Sequence, residues 1–298
     1  VKAQTQKSKK QGLVQIQKIE WIPKTTEYDL ESETKQRRDD RRLNMKIAIV
    51  TGASSGMGRE FAKQITHFYK NLDEIWVIAR RKERLEELEK TLLVPVRIFC
   101  GDLLHPPVYH ELRAALEEEK PDIRMLVNAA GFGKSGLAED ILKEDQKVQL
   151  KMIDLNCIAL SRMIFLCLEY MKEGSRIINL ASAAAFCPQP EFVVYAATKS
   201  YVLSFSRGLN RELRPRNIYV TAVCPGPVDT EFFKVSGELE NVLKKLTLVK
   251  ASNVVKKALQ DSRKKKEVSV YGIAMKCAWA GTKVIPHSVI LKAMTRKK

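Results

Sequence analysis

From residue 45 onward, short apolar runs alternate with longer amphipathic stretches, and that alternation predicts the elements. Residues 46–50 are continuously apolar after the first lysine and predict a strand, whereas 58–68 carry apolar positions at helical spacing. The same reading gives strands at 74–79, 94–100 and 123–128, separated by helices at 81–90 and 106–120. One long helix is expected over about 146–170, because Leu160, Met163, Ile164, Cys167, Leu168 and Met171 share a face. A strand at 176–180, a helix at 195–213 and a strand at 219–223 follow, with a last strand at 268–271. Strands that are apolar throughout are buried on both faces, and parallel neighbours need right-handed helical crossovers. The expected fold is α/β: a doubly wound parallel sheet with helices on both faces and its ligand at the carboxyl ends of the strands. No repeat or glycine-rich linker interrupts 45–271, which is therefore expected to form a single domain.

The turn between the first strand and the first helix reads Thr51-Gly52-Ala53-Ser54-Ser55-Gly56-Met57-Gly58. Gly52 suits a sharp turn, Gly56 lets backbone approach a pyrophosphate, and Gly58 allows close helix–strand packing. The helix N-terminus then presents free N–H groups and a positive dipole end to phosphate. Three glycines alone are a weak signal; the strand–turn–helix setting is what makes this a Rossmann-like dinucleotide site. An acid usually ends the second strand where a ribose 2′-hydroxyl is recognised. Here Ala79-Arg80-Arg81 stands there instead, and a guanidinium fork suits a 2′-phosphate. NADP(H) is therefore the preferred cofactor and NAD(H) the alternative.

Tyr195 and Lys199 stand at i and i+4, which puts them on one face of a helix. A tyrosine serves as acid/base when its pKa falls from about 10 towards neutrality, which needs roughly 4 kcal/mol favouring the phenolate. One ammonium about 4 Å away supplies about that much at an effective dielectric near 20. Ser182 follows the strand at 176–180, where its hydroxyl can bond a substrate oxygen whose charge changes. Asn156 interrupts the long helix, and a polar residue there marks a local break or a water site.

Taken together and in this order, these motifs resemble the short-chain dehydrogenase/reductase family over nearly all of 45–271. The family's T-G-x-x-x-G-x-G is at 51–58, its acid after the third strand is Asp102, and its N-N-A-G is Asn128-Ala129-Ala130-Gly131, with alanine second. Its P-G motif and following threonine match Pro225-Gly226 and Thr230, with Val228 between. The resemblance implies that Asn156, Ser182, Tyr195 and Lys199 are catalytic. Tyr195 would exchange the proton, Lys199 would lower its pKa and bind the nicotinamide ribose, Ser182 would polarise the carbonyl, and Asn156 would hold a water linking Lys199 to solvent. Cofactor contacts are expected from Gly52, Ser54, Ser55, Gly56, Met57, Gly58, Arg80, Arg81, Asp102, Asn128, Ala129, Gly131, Tyr195, Lys199, Pro225, Gly226, Val228 and Thr230. It also implies a homodimer or homotetramer built on the long helix and the Tyr195 helix. No metal is expected: His67, His105, His110 and His287 make no ligand spacing.

Substrate choice in the family lies in two regions, here 183–194 and the segment after Gly226 with Phe232, Phe233, Val235, Leu239, Val242, Leu243 and Leu246. Both are apolar and suggest a hydrophobic carbonyl or alcohol such as a steroid-like, acyl-chain or aromatic ketone; packing of a lid explains them as well.

Charge changes this picture little. The net charge is +17, but residues 1–44 hold eleven Lys/Arg against seven Asp/Glu, and 261–298 hold ten against two. Twelve of the excess charges thus sit on the ends, which read as solvated tails. With no recognisable nucleic-acid module, no nucleic-acid partner is expected. A non-catalytic NADP(H) sensor of the same fold is the rival reading, opposed by the intact catalytic set. Residues 1–44 lack a sustained apolar period and read as a disordered extension or a non-native leader before Met45. Residues 272–298 mix apolar positions, Trp279 and lysines, which fits a packed helix first and a peripheral membrane contact second. Cys100, Cys157, Cys167, Cys187, Cys224 and Cys277 form no C-x-x-C pair and read as buried reduced thiols, so the cytoplasm is the expected compartment.

Overall fold

In β1 (Lys46–Thr51) side chains alternate between two cores, and this alternation builds the molecule. Ile47 and Ile49 enter one apolar cluster while Ala48 and Val50 enter another, all fully buried. The computed structural model describes residues 45–232 and 248–295. They fall within one compact unit, Arg41–Lys298. The remaining strands are β2 (Glu74–Ala79), β3 (Val96–Cys100), β4 (Asp122–Asn128), β5 (Arg176–Leu180), β6 (Tyr219–Val223), β7 (Val228–Asp229), β8 (Val249–Lys250) and β9 (Val268–Ser269). Seven of them form one parallel sheet in the order β3-β2-β1-β4-β5-β6-β9, and β7 pairs with β8 apart from it. The chain winds outward from β1 to β3 and then returns to lay β4 on β1's other side. Where the winding reverses, the carboxyl ends of β1 and β4 open a crevice.

Helices α1 (Gly56–Phe68), α2 (Lys82–Glu89) and α8 (Ala251–Arg263) bury residues such as Phe61, Leu85 and Val255 in one core. The other core takes Leu112 from α3 (Pro107–Glu119), Ile164 from α6 (Leu160–Cys167) and Val202 from α7 (Val193–Leu213). Two further short helices, α4 (Ala138–Glu144) and α5 (Val148–Ile153), precede α6. The expected strands and helices appear within two residues of their bounds, with one exception. The helix expected over 146–170 is broken: α5 runs into a π-helical turn, Asp154–Ala159, before α6 begins, and a 3₁₀ turn ends it. The helix α8 was not anticipated, because its face of Val254, Val255, Ala258 and Leu259 is interrupted by Lys256 and Lys257. Four cysteines are buried as expected, but Cys100 and Cys277 are exposed; all six are free thiols.

The C-terminal stretch forms α9 (Ile273–Val284) and α10 (His287–Thr295). Met275 and Trp279 of α9 pack against the α6–α7 core, with Trp279 stacked on Phe186 at 6.0 Å between ring centroids. Met275 lies over Gly226, where a Cβ would come within 2.7 Å of its sulfur. Among the described residues no helix is long and apolar enough to cross a membrane. The expected substrate-segment residues Phe233, Val235, Leu239, Val242, Leu243 and Leu246, the leader 1–44 and the last three residues lie outside the described residues.

Candidate active site

The chain enters the crevice through a turn that only glycine can make. Gly52 has φ +67°, and a Cβ there would lie 2.7 Å from the Ala130 nitrogen. At Gly58 a Cβ would lie 2.2 Å from the Gly52 carbonyl oxygen, so these two glycines let the turn fold back on itself. Thr51 fixes the turn to β4: its hydroxyl accepts from the backbone N–H of Ala129 (3.1 Å) and Ala130 (3.2 Å). Gly56 (φ +52°) faces Thr230 at ordinary contact distance. Ser55 caps α1 with extended backbone and no side-chain bond to the helix, and no acid stands in the first turn. The first N–H groups of α1 are thus left with a positive dipole end and no carboxylate in the first turn. Tight glycines and an uncapped, acid-free N-terminus fit the phosphates of a dinucleotide. Met57 is half-buried in the core beneath the turn, and Val228 is buried there as well.

Around the crevice the cofactor candidates separate. Arg80 is exposed and lies 3.9 Å from Asp102, whose other oxygen accepts from the Leu104 N–H at 3.0 Å. Arg81, also exposed, is held by neighbours: Nε and Nη2 donate to Ser54 Oγ at 3.4 and 3.3 Å, and Nη1 donates to Glu231 at 2.9 Å. Asn128 instead turns into the sheet, where its Nδ2 donates to Asn179 Oδ1 at 3.0 Å. Asn179 donates to Ser206 (2.9 Å), and Ser206 to the Val202 carbonyl (2.6 Å). These buried side chains tie β4 and β5 to α7, with Asn128 Oδ1 left without a partner among the described residues. Pro225 accepts from the Ala183 N–H at 2.8 Å and so holds the segment after β6 against Ser182.

Ser182, Tyr195 and Lys199 converge at the end of β5. Ser182 caps a 3₁₀ turn, accepting from the Ala184 N–H at 3.1 Å, and it stands near enough to Tyr195 to favour the phenolate. Tyr195 is nearly buried between rings: Phe192 stacks at 4.3 Å and Phe232 leans at 5.4 Å. Gly133 makes room for this cluster, since a Cβ there would meet all three rings within 3.0 Å. Lys199 is buried; its Nζ donates to the Leu180 carbonyl at 2.7 Å and lies 5.6 Å from the Tyr195 ring centroid. Burial dominates both titrations: it pushes the Tyr195 hydroxyl up to about 12, against the influence of nearby Ser182, and the Lys199 ammonium down to about 8. This corrects the expectation that Lys199 brings Tyr195 towards neutrality. The ammonium is aimed at the Leu180 carbonyl and stands off the ring, too far to offset the desolvation of both groups.

Asn156 lies on the π-helical turn, and the wider turn directs its side chain out of the helix. Nδ2 donates to the Phe132 carbonyl (2.9 Å) and the Thr198 hydroxyl (3.1 Å), while Oδ1 accepts from the Phe132 N–H (3.1 Å). The break anticipated at Asn156 is present. Its side chain, however, is engaged by protein groups, so it locks the loop after β4 onto α7. Gly131 allows this approach, because a Cβ would sit 2.7 Å from Asn156 Oδ1. Thr198, Gly133, Asn179, Ser206 and Glu231 were not picked out in the sequence, where none stands in a motif of its own.

A family model described as short chain dehydrogenase matches residues 46–241. The very-long-chain 3-oxoacyl-CoA reductase of Anas platyrhynchos is 33% identical over 198 residues, covering 63% of this chain and 62% of that protein. The chain thus spans about three fifths of that relative's length. A short-chain dehydrogenase from Sphingobium yanoikuyae, solved in complex with NADPH, aligns at a TM-score of 0.68 and 26% identity, covering 83% of this chain and 95% of that one. A short chain dehydrogenase/reductase from Burkholderia phymatum, solved in complex with NAD, aligns at 0.68 and 19% identity over 80% and 93%, a likeness of fold alone. The family match runs from β1 through β6 and takes in the glycine turn and the Tyr195 helix alike, and the chain belongs to the short chain dehydrogenase family.

Proposed function

We propose that the chain is an NADP(H)-dependent oxidoreductase that interconverts a carbonyl and a secondary alcohol on a small hydrophobic substrate, with Tyr195 as general acid/base. The observation that carries this is the convergence of Ser182, Tyr195 and Lys199 at the end of β5, with Lys199 Nζ 5.6 Å from the Tyr195 ring centroid. Bound along the crevice, the nicotinamide would supply or accept the hydride. The chain's own residues handle the proton. With its pKa near 12, Tyr195 holds a proton at neutral pH and can donate it to a carbonyl oxygen during reduction. Ser182 steadies that oxygen. The phenolate left behind would face the Lys199 ammonium, whose Nζ stands 5.6 Å from the ring centroid. Phe192, Phe232 and the phenol ring itself wall the site and exclude water. These walls favour an apolar ketone, and an acyl-chain ketone agrees with the name of the Anas platyrhynchos relative, a very-long-chain 3-oxoacyl-CoA reductase.

Arg81, held with Ser54, supports NADP(H) over NAD(H). An apolar groove of about 910 Å³ lies over the π-helical turn, α6 and α7, with Ile158, Phe165, Val193 and Tyr201 exposed. It is on the far side of these helices from the Tyr195 hydroxyl, and it supports pairing with a second copy rather than substrate binding. Six free cysteines suit a reducing, cytoplasmic setting. The packing of Met275 and Trp279 favours α9 as a cover on the core over a membrane contact. The test is the ratio of kcat/KM with NADPH and NADH, and its collapse in Arg81→Ala; equal use of the two cofactors contradicts the preference.

A further inference from the structure

Four groups at the mouth of the glycine turn make an anion site, and the chain fills it itself. Arg81 Nη1 donates to Glu231 Oε2 at 2.9 Å, and Arg84 lies 3.8 Å from the other carboxylate oxygen. Ser54 holds the rest of the Arg81 fork, and Ser55 lies near enough to Glu231 to help lower its pKa. These contacts hold the Glu231 carboxyl below its ordinary pKa, the bond from Arg81 most of all. Glu231 is 150 residues from Arg81 in sequence, so the contact draws the segment after β6 onto the cofactor crevice. Its neighbour Thr230 sits against Gly56, the glycine whose missing side chain leaves backbone open to a ligand. No other acid meets the Arg81 guanidinium among the ion pairs of the described residues.

We propose that Glu231 is an internal competitor for the cofactor's 2′-phosphate at Arg81, and that this competition sets how strongly the protein discriminates NADP(H) from NAD(H). The proposal rests on the reading above that Arg81 receives the 2′-phosphate. A carboxylate and a phosphate of charge near −2 cannot share one guanidinium fork without repulsion. Occupation of Arg81 by phosphate therefore releases Glu231 and frees residues 228–232 from the glycine turn. A 2′-hydroxyl carries no charge and leaves the Arg81–Glu231 pair in place. Glu231 thus weakens binding of the phosphorylated cofactor while leaving the other almost untouched, the opposite of a residue that builds the site.

Calorimetric titration with 2′,5′-ADP and 5′-AMP reads the adenine end without nicotinamide or turnover. The expected result is that Glu231→Gln binds 2′,5′-ADP about tenfold more tightly than the wild type and 5′-AMP unchanged. KM for NADPH falls in parallel with kcat held, and Arg81→Ala erases the gain in a double variant. Unchanged or weaker 2′,5′-ADP binding in Glu231→Gln, with Arg81-dependent preference for 2′,5′-ADP intact, overturns the competition alone. If instead 2′,5′-ADP and 5′-AMP bind alike in wild type, Glu231→Gln and Arg81→Ala, the 2′-phosphate reading falls and the proposal with it.

Discussion

At Tyr195 and Lys199 burial works against charge on both partners, and the consequence can be measured as a function of pH. Lys199, lowered to about 8, is charged below that pH and neutral above it, while Tyr195, raised to about 12, keeps its proton throughout the range. If the ammonium supports the phenolate, kcat/KM for reduction declines as pH rises through about 8. Lys199→Arg, whose side chain stays charged, moves that limb upward in whatever activity it retains. A flat profile from pH 7 to 10 contradicts the role. Gly131 offers a second test at this scale. A methyl group there meets Asn156 Oδ1 at 2.7 Å and lies 3.5 Å from Lys199 Nζ. Gly131→Ala should cost roughly 1–3 kcal/mol by urea unfolding, the range typical of overpacking, and reduce turnover more than cofactor affinity. Tyr195, Lys199, Ser182 and the three turn glycines were legible in the sequence because local spacing sets their relation. Glu231 and Phe232 were not legible in their roles, because they reach Arg81 and Tyr195 only after the sheet has closed.

Among the elements, the outer strands and their helices follow from apolar runs, whereas the π-helical turn needed more than periodicity. Asn156 signalled a break, but only the partners Phe132 and Thr198 explain why the helix widens there. The helix α8 was obscured for the opposite reason: lysines on its outer face hide a buried face that packs on α1 and β6. The helix α9 supports the packed one of two readings that the sequence left open, while Ile273 and Val284 stay exposed. Its Met275 and Trp279 face inward on Phe186 and Gly226. Trp279→Ala should therefore lower stability by about 1–3 kcal/mol, the loss of a partly buried aromatic contact, seen as an earlier urea midpoint with an unchanged slope. No change in midpoint would mean that α9 does not cover the core.

Over the whole molecule, opposite faces of one helical layer are given different tasks. The side of α7 that carries Tyr195 and Lys199 closes the crevice, and the other side joins α6 in the apolar groove with Phe165 and Tyr201 exposed. An exposed apolar patch of this kind is what an association site would present. Phe165→Glu should convert a dimer or tetramer into smaller species by analytical ultracentrifugation, with unchanged sedimentation as the contrary result. The α/β class and the crevice position were readable from the strand–helix alternation, since winding order alone fixes where a doubly wound sheet opens. The most direct test of the account follows NADPH absorbance at 340 nm against hydrophobic ketones in wild type and Tyr195→Phe. The account predicts turnover in the wild type, a loss of about 10²-fold or more in the variant, and equal NADPH affinity in both. Turnover retained in Tyr195→Phe would contradict it.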